Sequence, residues 1–310
     1  MSNSTSSLSG SAFIKPNVAP LAVDSVFTKT PLINTFLRYG RIVPSGGSST
    51  IQWNVRYSRD IAASAWTENQ SITSFGGTLT VEASQASQFG KVAFGVTDYQ
   101  LANQANGGVY QNVSEFEREK ATADLLKYFE GIFVSNGAST GISSLVDSTG
   151  TAHGIDSGTY TTFASVENSV SGSSFLSGLD DTWSDLLATN ADPSSIVLFM
   201  SPEVTTIYQG VVASNMRAMY GQPLDLGKNP GGSSLSFNGR EIVTIPGASA
   251  SECYFVDMSK AKIVMHIAPE IVVVPATNMG ENLCARAAMC LILEDRGAHG
   301  KVTQINLRSS

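Results

Sequence analysis

The chain has 310 residues, 42% of them hydrophobic and only 15% charged, with 19 basic against 26 acidic side chains and a formal net charge of −7. An acidic chain without a Lys/Arg cluster is not built to grip nucleic acid by neutralising phosphates. No stretch reaches the apolar length of a membrane span, and Cys253, Cys284 and Cys290 have no metal-type spacing. The length is ample for a large core. Gly, Ser, Thr, Asn and Gln take the place of charge, and a neutral polar surface desolvates cheaply enough for large subunit contacts. An ordinary β-rich protein with many turns has the same composition.

The first dozen residues lack both a basic start and an apolar run, so they read as an arm and not as a signal peptide. Up to about residue 47 there are only scattered anchors, Phe13, Ile14, Val26, Phe27, Leu32, Ile33, Phe36 and Leu37, before a turn from Pro44. Ile51–Ser58 then alternates without a break, which puts Ile51, Trp53, Val55 and Tyr57 on one strand face and Gln52, Asn54, Arg56 and Ser58 on the other. Further alternations come at Leu79, Val81, Ala83 and at Val92, Phe94, Val96. A strand pair is marginal alone, which points to a covering surface from another copy. Aromatics and arginines dominate interface hot spots, so Trp53, Arg56, Tyr57, Arg59 and Trp66 are the candidate inter-subunit contacts. Trp53 and Tyr57 equally suit the chain's own core, whereas Trp66 lies in a polar stretch that favours an interface.

Ser114-Glu115-Phe116-Glu117 fits a capping box, with Glu115, Glu117 and Glu119 near the positive end of a helix dipole. Val113, Phe116, Leu125, Tyr128, Phe129 and Ile132 recur at helical spacing, and the helix is predicted to end near Asn136-Gly137. Residues 137–172 read as loop with few core anchors. A second helix carries Phe175, Leu176, Leu179, Trp183, Leu186 and Leu187, with Asp180 and Asp181 read as first-turn dipole partners and not as a catalytic pair. Ile196–Met200 is a strand buried on both faces. Ser201-Pro202 then starts a third helix, with Ser as N-cap and Pro at the first helical position. Short strands are predicted at Ile242–Ile245, Cys253–Val256, Ile263–Ile267 and Ile271–Val274, followed by an apolar segment at Leu283–Leu293 and an alternation of Val302, Ile305 and Leu307.

Little of this carries chemistry. Gly137-Ala138-Ser139-Thr140-Gly141 has the spacing of a serine-hydrolase elbow, but it follows a helix and leads into loop, where the chemistry needs a strand-to-helix turn. His153, His266 and His299 have no ligand-type neighbour at useful spacing, and His266 reads as a strand residue. Cys284 and Cys290, on one strand, would stand about 20 Å apart, beyond disulfide reach, so reduced buried thiols are expected. No catalytic residue, cofactor or metal is expected.

The order of elements, with the segment Leu235–Gly247 (Leu-Ser-Phe-Asn-Gly-Arg-Glu-Ile-Val-Thr-Ile-Pro-Gly), then Cys253–Val264 (Cys-Tyr-Phe-Val-Asp-Met-Ser-Lys-Ala-Lys-Ile-Val) and the earlier Gln222-Pro223-Leu224, resembles the major capsid proteins of tailed phages. The resemblance implies an α+β Hong Kong ninety-seven-like phage capsid fold. In it, residues 1–47 are an N-terminal arm, 48–95 an extended β-hairpin E-loop, 96–169 a peripheral domain with its spine helix, 170–262 an axial domain, and 263–310 the remaining peripheral strands. It implies a non-enzymatic subunit that self-assembles as hexamers and pentamers into an icosahedral virion head around double-stranded DNA, without sequence-specific binding and without a membrane, in the host bacterial cytoplasm. Some relatives cross-link through an E-loop lysine, but this chain has none between Lys29 and Lys91. The arm is also too short for a built-in scaffold. A separate scaffolding protein, a portal and a cementing protein are the implied partners. An encapsulin-type nanocompartment shell is the structural alternative, a small stable oligomer of a β-rich binding protein another, and a serine hydrolase resting on Ser139 the enzymatic one.

Overall fold

The computed structural model describes residues 30–59, 78–98, 113–134, 140–170, 175–220, 236–275 and 280–305. In chain order the first elements are α1 (Pro31–Arg38), β1 (Ile42–Pro44), β2 (Thr50–Arg59), β3 (Thr78–Ala86), β4 (Gln88–Thr97) and α2 (Val113–Val134). A compact connection follows, with α3 (Ile142–Leu145), β5 (Thr151–Ala152), β6 (Ile155–Asp156) and β7 (Val166–Ser169). Next come α4 (Phe175–Leu187), β8 (Ile196–Met200), α5 (Pro202–Tyr220), β9 (Ser236–Phe237), β10 (Arg240–Thr244) and β11 (Cys253–Asp257). The long strands β12 (Ala261–Val274) and β13 (Gly280–Leu293) and the short β14 (Gly300–Thr303) complete the described elements.

Two sheets carry the body, one in the order β1-β12-β13-β4 and one in the order β7-β14-β11-β8-β10-β9. Every other residue of β13 turns toward α2, so Ala285, Ala287, Met289, Leu291 and Leu293 share a core with Leu125, Phe129 and Phe133 of the helix. The small residues let the helix lie close: a β-carbon on Gly90 of β4 would stand 2.9 Å from the Phe129 ring. Val197, Phe199, Tyr254 and Val256 of the second sheet join this same core. The opposite face of that sheet, with Ile196, Leu198, Met200 and Phe255, packs on Phe175, Leu179 and Leu186 of α4 and on Val204 and Tyr208 of α5. This is why β8 is apolar throughout: all five residues are buried, and no position faces water. Ser201 caps α5 as expected, its Oγ accepting from the Val204 N–H at 3.2 Å, with Pro202 at the first helical position.

Several expectations are corrected. The long helix already includes Val113 and Ser114, so Ser114 lies inside it and not at its cap; the expected end at Asn136-Gly137 lies outside the described residues. Asp180 and Asp181 stand in the middle of α4, on its exposed face, because the helix begins at Phe175. The strands expected at Ile263–Ile267 and Ile271–Val274 are one strand, β12, whose pairing with β13 slips between Met265 and Ile267 and again between Ile267 and Glu270. Bulges around Pro269, which has no N–H to give, let the strand continue through the break in its pattern. The stretch read as having few core anchors buries Ile142, Leu145, Val146, Ile155 and Phe163. Residues 31–44, read as part of the arm, form α1 and β1; Leu32, Ile33 and Phe36 are buried, and β1 pairs parallel to β12 from Ile42↔Ile263 to Pro44↔Met265. Cys284 and Cys290 share β13; Cys253 and Cys290 are buried and Cys284 is half-buried.

Candidate assembly surface

The hairpin of β2 and β3 pairs antiparallel from Thr50↔Ala86 to Arg56↔Thr80, then slips one residue and resumes at Ser58↔Leu79 and Arg59↔Thr78. Tyr57 is the extra residue, a bulge that breaks the alternation expected there and adds local twist. Ile51 and Trp53 pack on Val264, Cys290 and Ile292 of the long strands. Val55 and Ala83 pack on Ile155 and Phe163 of the connection that follows α2. The chain itself therefore covers Val55 and part of the apolar face at Ile51 and Trp53.

His153 is the centre of that junction. It adopts φ +53°, a left-handed conformation uncommon for a non-glycine residue, because it fills the tight turn between β5 and β6. The Leu293 N–H donates to its Nε2 at 3.1 Å, which assigns the ring proton to Nδ1, 2.8 Å from Gln85 Oε1 on β3. The Ser84 N–H donates to the His153 carbonyl at 2.9 Å. The Trp53 indole meets the imidazole edge-on at 5.0 Å and donates its Nε1–H to the Glu294 carbonyl at 3.2 Å. Burial, helped by the nearby Arg296 and His299, lowers the His153 pKa to about 3, so the clamp is uncharged.

Behind it, Arg296 is 1% exposed and spends its guanidinium on three main-chain carbonyls, those of Leu145 at 2.9 Å, Gly150 at 3.1 Å and Thr149 at 2.7 Å. It ties the connection after α2 to the turn that follows β13. Lys301 on the adjacent β14 bonds Asp147 at 3.2 Å and approaches Glu167 at 3.8 Å. His299 accepts the Asp257 N–H on its Nδ1 at 3.1 Å, and burial holds its pKa down to about 4.

Farther along the hairpin, Tyr57 stacks edge-on against Tyr160 at 4.7 Å, and its carbonyl accepts from Thr162 Oγ1 at 3.1 Å. Arg56, exposed on the opposite side of the strand, borders a cleft of about 450 Å³ with Tyr57, Thr162, Asn190 and Asp295. A second cleft of about 510 Å³ shares Thr162, Asn190 and Asp295. The Arg59 backbone ends the hairpin pairing opposite Thr78. Trp66 and Ser139 lie outside the described residues. Sequence reasoning did not single out Arg296, and it set His153 aside with the other histidines. Nothing in the sequence around Asp295-Arg296-Gly297 announces a buried cation. Among the described residues no three His, Cys, Asp or Glu side chains gather as a metal site.

The model of the SU10 major capsid protein family matches residues 4–306. The chain belongs to that family. Among solved structures, the cyanophage A-1(L) capsid asymmetric unit superposes with a TM-score of 0.70 at 13% identity, over 93% of this chain and 96% of that one. The capsid of an empty GTA particle gives 0.65 at 11% identity over 94% and 95%, and Mycobacterium phage Bobi 0.57 at 13% identity over 94% and 95%. No curated protein sequence matches. At these identities the likeness shows the fold, which is the Hong Kong ninety-seven fold of tailed-phage capsids. A virus-like particle from Pyrococcus furiosus also superposes, with a TM-score of 0.51, so the fold alone does not separate phage heads from other shells. The family does: the chain is a shell-forming structural capsid protein of a tailed phage, and its place is the virion.

Proposed function

We propose that this capsid protein assembles as hexamers and pentamers of an icosahedral head around double-stranded DNA, with no catalytic step. Its hairpin reaches a neighbouring subunit from a base locked on its own body. The observation that carries this reading is the division of labour along the hairpin. Ile51, Trp53 and Val55 are consumed by intrachain packing, and His153 joins β3 to the end of β13. A lever anchored this firmly can transmit force to whatever its far end touches. Arg56, Arg59 and Trp66 are the candidate contacts beyond the anchored base; Trp53 and Tyr57 support them from below.

The division into arm, E-loop, peripheral and axial parts keeps the order given above, with α1 and β1 of the arm segment and β4 at the end of the E-loop segment joined to the body. With no lysine between Lys29 and Lys91, the shell is held by noncovalent burial or by a cementing protein. A separate scaffolding protein and a portal direct assembly in the host cytoplasm. The net charge of −7 confines DNA without gripping it. Replacing residues 60–76 by a short turn tests the lever. The expected product is a folded, soluble subunit, with a circular dichroism spectrum like that of the parent, that yields no intact particles in electron micrographs. Normal particles from this variant would remove the hairpin from assembly.

A further inference from the structure

The amino-terminal end of α1 is capped from a distance. Thr30, at the N-cap position, makes no side-chain hydrogen bond to the helix, and Pro31 has no N–H. The next two amides, Leu32 and Ile33, donate to the two oxygens of one carboxylate, that of Glu130 on α2, at 2.7 and 2.9 Å. The Asn34 N–H then bonds the Thr30 carbonyl at 3.0 Å. Glu130 thus satisfies every otherwise orphaned amide of the first turn. It does so while 5% exposed and, among the described residues, without a cation beside it.

The elements packed on α2 present Leu32, Phe36, Ile142, Val92, Ala287 and Ile263 to it. Among the described residues, none of their charged groups pairs with Glu130. Arg38 pairs with Glu241, Lys262 with Glu294 and Arg286 with Glu270, while Lys91 and His266 make no bond to Glu130. On its own helix Lys127 is exposed.

A buried carboxylate without a counter-ion is held in place by two hydrogen bonds and pulled toward water by its charge. We propose that α1 is a detachable strap, held at its first turn by the Glu130 carboxylate acting as a cap in trans, and that rehydration of this carboxylate drives its release. Burial raises the proton affinity of Glu130 above the usual carboxylate range, and the two amides only partly offset this. The docked strap therefore binds a proton more readily than the released one. By linkage, acid tightens the strap and alkali loosens it.

Hydrogen exchange of the full-length chain, followed by mass spectrometry over residues 31–38 and corrected for intrinsic rates, tests this independently of shell assembly. Between about pH 8 and about pH 5, protection of α1 rises several-fold in the wild type and stays flat in Glu130→Gln. At about pH 5, Glu130→Gln lowers that protection by about fivefold, the effect of a lost cap, and adding Thr30→Asn, which supplies a local cap, restores it. Protection that is flat with pH in the wild type, or that keeps its slope in Glu130→Gln, overturns the release mechanism. Failure of Thr30→Asn to restore protection while α2 and β11 remain protected overturns the cap. Should Glu130→Gln fail to fold, the wild-type pH series decides alone.

Discussion

His153 and His299 hold the junction of the hairpin, the long sheet and the six-stranded sheet while uncharged. Each accepts one backbone N–H, from Leu293 and from Asp257 respectively, and a protonated ring could not accept it. In the fold their pKa values lie at about 3 and about 4, below the ordinary 6.5 of the free side chain. The unfolded chain therefore takes up protons that the folded one refuses. The contribution of both groups is complete above pH 6.5 and is lost as the pH falls toward 4 and 3. We predict that His299→Asn, whose carbonyl can take the Asp257 N–H, weakens this dependence. Between about pH 7 and about pH 5 the wild type should lose about 2 kcal/mol more than the variant in denaturant titrations. Equal losses would place the acid sensitivity elsewhere. Trp53 illustrates the same scale for assembly: its indole N–H is already bonded within the chain, so its influence on a neighbour acts through the angle of the hairpin.

At the scale of elements, closeness of α2 to the long sheet depends on small side chains. Gly90→Ala would push a methyl to 2.9 Å from the Phe129 ring, and we predict a destabilisation of about 1–3 kcal/mol in denaturant unfolding. An unchanged midpoint would show that the helix can shift without cost. The sequence made legible those elements whose burial is simple. Ile196–Met200 is apolar at every position because it is covered on both faces, and the stripe on α4 matches one covered face, with Phe175, Leu179 and Leu186 buried and Leu187 left exposed. Elements held by distant partners stayed hidden. The connection after α2 looks like loop because Arg296, about 150 residues away, supplies the donors that its carbonyls need. β12 looks like two strands because its bulges interrupt the period of two while pairing with β13 persists. The short helix α1 has no local cap to announce it, since the cap is on α2. Of the assembly surface, the aromatic and arginine residues were legible by type. Their division into anchored Trp53 and Tyr57 and outward Arg56 was not, because it depends on what lies across from each face.

At the scale of the whole molecule, the two largest cores among the described residues are lined by the chain itself, one between the long sheet, α1 and α2 and the second sheet, the other under α4 and α5. Sibling copies are what turn such a subunit into a wall. The low content of charge is then a property of a surface meant to be covered many times by like surfaces, each contact modest and the closed shell strong by repetition. The most direct measurement is a cryo-electron microscopy map of the assembled particle. The account predicts that residues 50–57 keep their seat on their own subunit, with Trp53 against His153, while the chain beyond Arg59 lies on a neighbour. A map in which residues 60–77 fold back onto their own subunit, or in which the base at Trp53 has left His153 to pack on another copy, would contradict it.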